Sequence, residues 1–167
     1  MPNWCKNIVE VFGEEADIKA FKEMVASEAE AFSLNSILPV PIELHDVQSP
    51  VRIMTEQEIQ EYKESHKDIH PDYPIGGPIT QETSDRLNKQ YGDNNRYDWC
   101  NRNWDTKWDV GDVVFQDDFE NEWLRYEFDT AWGPPTNIFH ELEKRFPNIR
   151  ISWFFNEPGM EIAGYLH

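Results

Sequence analysis

Asp-Thr-x-Trp occurs twice in this chain, as Asp105-Thr106-Lys107-Trp108 and as Asp129-Thr130-Ala131-Trp132, 24 residues apart. Brought together, the two copies have the means to hold a ligand. Thr106 and Thr130 offer hydroxyls, Lys107 a cation, and Trp108 and Trp132 flat faces on which a ring can stack. With Asp129 they make a candidate cleft for a nucleotide-like molecule, the lysine meeting its phosphate and the indoles its base. The competing role is tertiary: the indoles anchor a sheet edge while Asp and Thr satisfy backbone groups where a helix begins. On that expectation both tryptophans belong to the core, where truncation to alanine would cost about 3–5 kcal/mol. Asp105, Asp109 and Asp129 could also gather around a hard cation. Such an ion needs several well-placed oxygens, and a one-residue slip in strand register turns a carboxylate to the other face, so no metal is expected.

Asp112, Asp117, Asp118, Glu120 and Glu122 fall within eleven residues that hold no Lys or Arg. One reading is a solvated hairpin tip whose charge prevents edge-to-edge pairing. The other is a partner-binding surface that imitates the phosphate field of nucleic acid and occupies a basic site on a host protein, with steered and salt-sensitive association. The remaining candidates are weaker. His66 and His70 are four apart, but Pro71 truncates their helix and no carboxylate or thiol stands at zinc-site spacing. His140 lies between apolar positions of a predicted helix, and Cys5, beside Trp4 in a predicted strand, reads as a small buried hydrophobe. Gly76-Gly77 is not followed by Lys-Ser/Thr, so it is no phosphate loop. With no acid/base or nucleophile constellation to name, a binding protein without a cofactor is expected rather than an enzyme.

The formal charge of −17, from 15 basic and 32 acidic residues, repels nucleic acid phosphates and anionic membranes. Direct nucleic acid binding is therefore not expected. No apolar run of about 18 residues is present to span a bilayer. Two cysteines without a Cys-x-x-Cys pair or a leader suit a reduced, cytoplasmic setting. Length fits a single domain, 1–167, and an aromatic content of 14% offsets a modest hydrophobic fraction of 39%.

Several elements must position these residues. Trp4 to Phe12 reads as a strand closed by Gly13. Ile18, Phe21, Val25 and Ala29 carry a helical spacing that predicts a helix from Glu14 to about Phe32. Leu34 to Leu44, with Pro39 and Pro41, predicts an extended connection. Residues 45–103 read as a helical and loop insertion: a capping box at Thr55-Glu56-Gln57-Glu58, a helix over Thr80–Tyr91 stopped by Gly92, and a turn opened by Asp98 that carries Trp99, Cys100 and Trp104. Lys107–Phe115 and Trp123–Trp132 then predict a hairpin, Leu124, Tyr126, Phe128, Thr130 and Trp132 facing one way. Pro134-Pro135 opens a helix that Pro147 ends, Ile149 to Phe155 is a strand, and Met160–Leu166 returns beside it.

Strand, helix, insertion, strand, strand, helix, strand, strand is an α+β ferredoxin-like split βαβ sandwich: βαββαβ plus a C-terminal strand, with an insertion after the first helix. The chain also resembles a known family. Asn3-Trp4-Cys5 with Asn7, Ile37-Leu38-Pro39-Val40-Pro41, the two Trp motifs, Gly133-Pro134-Pro135 and Glu157-Pro158-Gly159 are together similar to the YubB-type ferredoxin-like family of phage and plasmid proteins. That resemblance implies the same fold and an origin in a phage or mobile element, and it implies no activity. The expected function is that of a non-enzymatic accessory protein that binds, and inhibits, a host protein with a basic surface. The alternative is a protein that sequesters a nucleotide-like ligand.

Overall fold

A computed structural model describes residues 3–47, 49–66, 77–118 and 123–167. In chain order its elements are β1 (Trp4–Phe12), α1 (Glu15–Val25), α2 (Leu34–Ile37), a 3-10 turn (Ile42–Leu44), α3 (Glu56–Ser65), α4 (Gln81–Tyr91), α5 (Arg96–Trp104), β2 (Val114–Asp118), β3 (Trp123–Ala131), α6 (Thr136–Arg145), β4 (Arg150–Glu157) and β5 (Ile162–Tyr165). The chain divides into two compact units, one of Met1–Pro39 with Arg102–His167 and one of Val40–Asn101.

The first unit is built on an antiparallel sheet of order β2-β3-β1-β4-β5. Strand β1 enters its middle, and the hairpin of β2 and β3 and the strand β4 after α6 take opposite sides. This is the ferredoxin-like arrangement, extended by β5. Strict alternation in β1 buries Cys5, Asn7, Val9 and Val11 and leaves Trp4, Lys6, Ile8, Glu10 and Phe12 on the other face. Helices α1 and α6 bury Ile18, Phe21 and Val25, and Ile138, Phe139 and Leu142. Phe32 packs against Phe128 at 4.9 Å, Tyr126 at 5.3 Å and Trp153 at 5.9 Å, so aromatic rings fill the space between sheet and helices.

Several expectations differ from what the chain does. Helix α1 stops at Val25, where the Ser27 hydroxyl accepts from the amides of Ala29 and Glu30 and offers the backbone an alternative to the helix. That turn frees Phe32 for the core. The connection expected to be extended holds α2 and the 3-10 turn, the first capped by Ser33 accepting from Ser36. Residues 107–113 are not strand: Asp105 (φ 62°) and Asp112 (φ 54°) are left-handed, and β2 begins only at Val114.

In the second unit, Thr55 and Glu58 form the capping box of α3, Thr80 caps α4, and Gly92 (φ 81°) ends it in the left-handed conformation that glycine adopts without strain. Asn95, not Asp98, starts α5, its side chain accepting from the amide of Asp98. Glu43 is fixed by the Tyr91 hydroxyl and by Arg86, and these partners hold its carboxyl below the ordinary range. His66 stacks on Tyr62 at 4.0 Å, while His70, Pro71 and Gly76 lie outside the described residues.

Tyr126 is fully buried, and among the described residues its hydroxyl has no hydrogen-bond partner. Burial, with Asp117 adding to it, pushes the phenol well above its ordinary range. An unpartnered buried hydroxyl costs about 1–3 kcal/mol. Tyr126→Phe should therefore leave stability unchanged or raise it by up to about 1 kcal/mol, whereas Phe32→Ala should cost about 3–5 kcal/mol; denaturant unfolding of both variants measures this.

Candidate functional site

The two Asp-Thr-x-Trp copies meet, but through a different geometry from a simple hairpin. Thr106 is buried, and its hydroxyl donates to the Ala131 carbonyl (3.1 Å) and accepts from the Ala131 amide (3.2 Å), closing the first copy on the second. Asp105 accepts from the Asn137 amide at 3.0 Å and so caps α6 from a distance in sequence. Thr130 donates to the Gly133 carbonyl and accepts from Asn7, whose buried carboxamide also donates to the Cys5 carbonyl and accepts from the Trp153 indole. The hydroxyls of the motif are thus committed to structure.

The indoles are not. Trp108 and Trp132 are 46% and 47% exposed, against the expectation that both are core. The burial alternation of β3 holds through Thr130 and then breaks, because Trp132 takes φ 74° as the chain leaves the sheet. Trp4, read from sequence only as the start of β1, is 50% exposed and lies 6.1 Å from Trp108, centroid to centroid. Its outward place in the β1 alternation was the signal. The Lys107 ammonium sits 4.2 Å from the Trp108 ring centre and 5.9 Å from that of Trp132.

Carboxylates hold the loop that carries this cluster. Asp109 accepts from the Ser33 hydroxyl and from the amides of Leu34, Asn35 and Val110, while Glu30 accepts from the amides of Asp112 and Val113. Asp105 and Asp109 are therefore spent on helix starts. Among the described residues no three His, Cys, Asp or Glu side chains gather at a point that would suit a metal ion.

Beside the cluster opens a groove of about 510 Å³ whose lining includes Trp4, Lys6, Asp112, Val114, Glu127 and Asp129. Glu127 belongs to a charge ladder across the outward face of β1 and β3: Lys6 and Arg125 both bind it at 2.9 Å, and Arg125 reaches Glu10 at 2.9 Å. Hydrogen bonds from Lys6 and Arg125 hold the Glu127 carboxyl below its ordinary range. Lys6 is thereby neutralised, and the groove is acidic.

The acidic candidates do not share one surface. Asp112 lies at the groove, beyond the end of β2 that pairs with Glu127; Asp118 lies at the other end, opposite Trp123. Asp117 is bound to the Lys22 ammonium, and its side chain is 18% exposed although its edge-strand backbone is open. Glu120 and Glu122 lie outside the described residues. His140 is a surface imidazole 3.6 Å from Glu143.

The fold is α+β ferredoxin-like, and the comparisons with known proteins agree. Residues 91–167 match the family model described as the ferredoxin-like domain in Api92-like protein. The whole chain is similar to the crystal structure of a protein api92 from Yersinia pseudotuberculosis, with a TM-score of 0.53 at 14% identity over 99% of this chain and 93% of that one. That likeness is one of fold. No curated protein matches the chain, and no helix among the described residues is long and apolar enough to cross a membrane.

Because Trp108 and Trp132 are half-exposed, their truncation to alanine should cost about 1.5 kcal/mol or less. Thr106→Val, which strands both backbone groups of Ala131, should cost about 1–3 kcal/mol. Chemical denaturation ranks the three, and an indole variant that loses more than Thr106→Val contradicts the geometry.

Cys5 is buried, and burial pushes its thiol up to about 11, the Thr130 hydrogen bond opposing and Glu157 and Asp129 adding to it. A raised thiol is a poor nucleophile at neutral pH. The folded state keeps its proton after the unfolded state has lost it, so this contribution is full below about pH 9 and lost as pH rises through about 11. Wild type should lose about 1–3 kcal/mol more than Cys5→Ala between those limits, measured by unfolding at each pH.

Proposed function

We propose that the chain is a non-enzymatic binding protein that engages a basic surface of another protein through the acidic groove and the tryptophans beside it. The observation that carries this reading is the exposure of Trp4, Trp108 and Trp132, of which Trp4 lines the groove that bears Asp112 and Asp129 and lies against Trp108. Exposed indoles at a rigid position are the side chains that dominate protein–protein hot spots, and carboxylates beside them select a basic partner and speed its approach. The structural bonds of Thr106, Asp109 and Glu30 support it too, since they fix the loop before any partner arrives. A nucleotide-like ligand suits the groove less well, because Asp112, Glu127 and Asp129 would face its phosphate. The setting we propose, an accessory and inhibitory role for a phage or mobile element in the host cytoplasm, rests on the YubB-type resemblance.

Immobilised chain should retain basic proteins from a host lysate at low salt and release them at high salt. The variant combining Trp4→Ala, Asp112→Asn and Asp129→Asn should retain none of these, while Asp117→Asn with Asp118→Asn retains them. Retention that survives both the triple variant and high salt overturns the proposal.

A further inference from the structure

We infer that the half-exposed indoles of Trp108 and Trp132, which flank the Lys107 ammonium at 4.2 and 5.9 Å, receive a cationic side chain of the bound protein, arginine in preference to lysine, and that Lys107 is a resident occupant which the incoming cation displaces. The inference rests on the binding role proposed above and names the group that the partner supplies.

Lys107 differs from three other cations of the first unit. Lys6 binds Glu127, Lys22 binds Asp117, and Arg125 bridges Glu10 and Glu127. Among the described residues, no carboxylate lies within ion-pair distance of the Lys107 ammonium, and its close neighbours are the faces of two half-exposed indoles. The indoles themselves act as its counter-group. Tryptophan is the aromatic that attracts a cation most strongly, so a pair of them already beside an ammonium is a cation-receiving site.

Two features make the occupant replaceable. Lys107 lies outside regular secondary structure on a flexible stem, so withdrawing it costs only the ring contact and releases rotamer freedom. The indoles also adjoin the acidic groove through Trp4, which lines the groove and lies against Trp108. A basic segment in the groove therefore brings a second cation to the same indoles. A guanidinium stacks on an indole plane and is more weakly hydrated than an ammonium, which favours arginine in the exchange.

Isothermal titration with acetylated hexa-arginine, hexa-lysine and hexa-glutamate tests this, with the indole N–H resonances of Trp108 and Trp132 followed by NMR. Hexa-arginine should bind more tightly than hexa-lysine, hexa-glutamate should not bind, and both indole resonances should shift. Lys107→Met should bind hexa-arginine about two- to fivefold more tightly, and Trp108→Ala and Trp132→Ala about as much more weakly, the range of one exposed cation–π contact. Lys144→Met on α6 removes the same charge elsewhere and should match wild type. Equal affinity of Lys107→Met and Lys144→Met, with weakening still caused by Asp112→Asn and Asp129→Asn, overturns the exchange and leaves the groove reading standing. Failure of hexa-arginine to bind wild type and Lys107→Met alike overturns both.

Discussion

The buried carboxamide of Asn7 is the constraint on which the first unit depends. It stands at an inward position of the central strand, where an apolar residue would be ordinary, and it touches both neighbouring strands: Thr130 on β3 and the Trp153 indole on β4. A buried amide left without partners is costly, so these strands are held to the one register in which all its groups are satisfied. Thr130 passes that constraint on. Its hydroxyl reaches the Gly133 carbonyl, which fixes the chain where it leaves the sheet and sets the place of Trp132.

Structural bonding and solvent exposure fall on different atoms of the same short motif. Asp105 and Thr106 are consumed by backbone groups of α6 and Ala131, and Thr130 by Asn7 and Gly133. The indoles, Lys107 and the groove-lining Asp129 take no part in those bonds. A repeat that looks like a ligand cleft or like a core anchor is thus both a clasp and a display. At Glu157-Pro158-Gly159 there is a clasp alone: the buried Glu157 carboxylate accepts from the amides of Gly159 and Met160, and a β-carbon on Gly159 would collide with the Asn3 amide.

What could be read in the sequence was local. The alternation of Leu124, Tyr126, Phe128 and Thr130, the box at Thr55 and Glu58, the stop at Gly92 and the helix after Pro134-Pro135 each depend on neighbours a few residues apart. The loop from Asp105 to Val113 does not. Its shape comes from Asp109 meeting Leu34 across 75 residues and Glu30 meeting Asp112 across 82, bonds with no periodic trace, which is why the sequence predicts strand from Lys107 onward. The site was legible in the same measure. The repeat singled out Lys107, Trp108 and Trp132, but exposure follows from the left-handed turn at Trp132, and Trp4 joins only through the pairing of β1 with β3.

The pinning of that loop has a consequence for how the protein breathes. The amides of Leu34, Asn35, Val110, Asp112, Val113 and Asn137 all end on carboxylates of one loop or of Glu30 beside it. Lifting the loop exposes them together to solvent deuterium, although they begin α2, enter β2 and begin α6. These amides should therefore exchange as a single cooperative unit that cuts across three elements. A molecule that seats on the tryptophans would slow exchange at the starts of two helices it never touches.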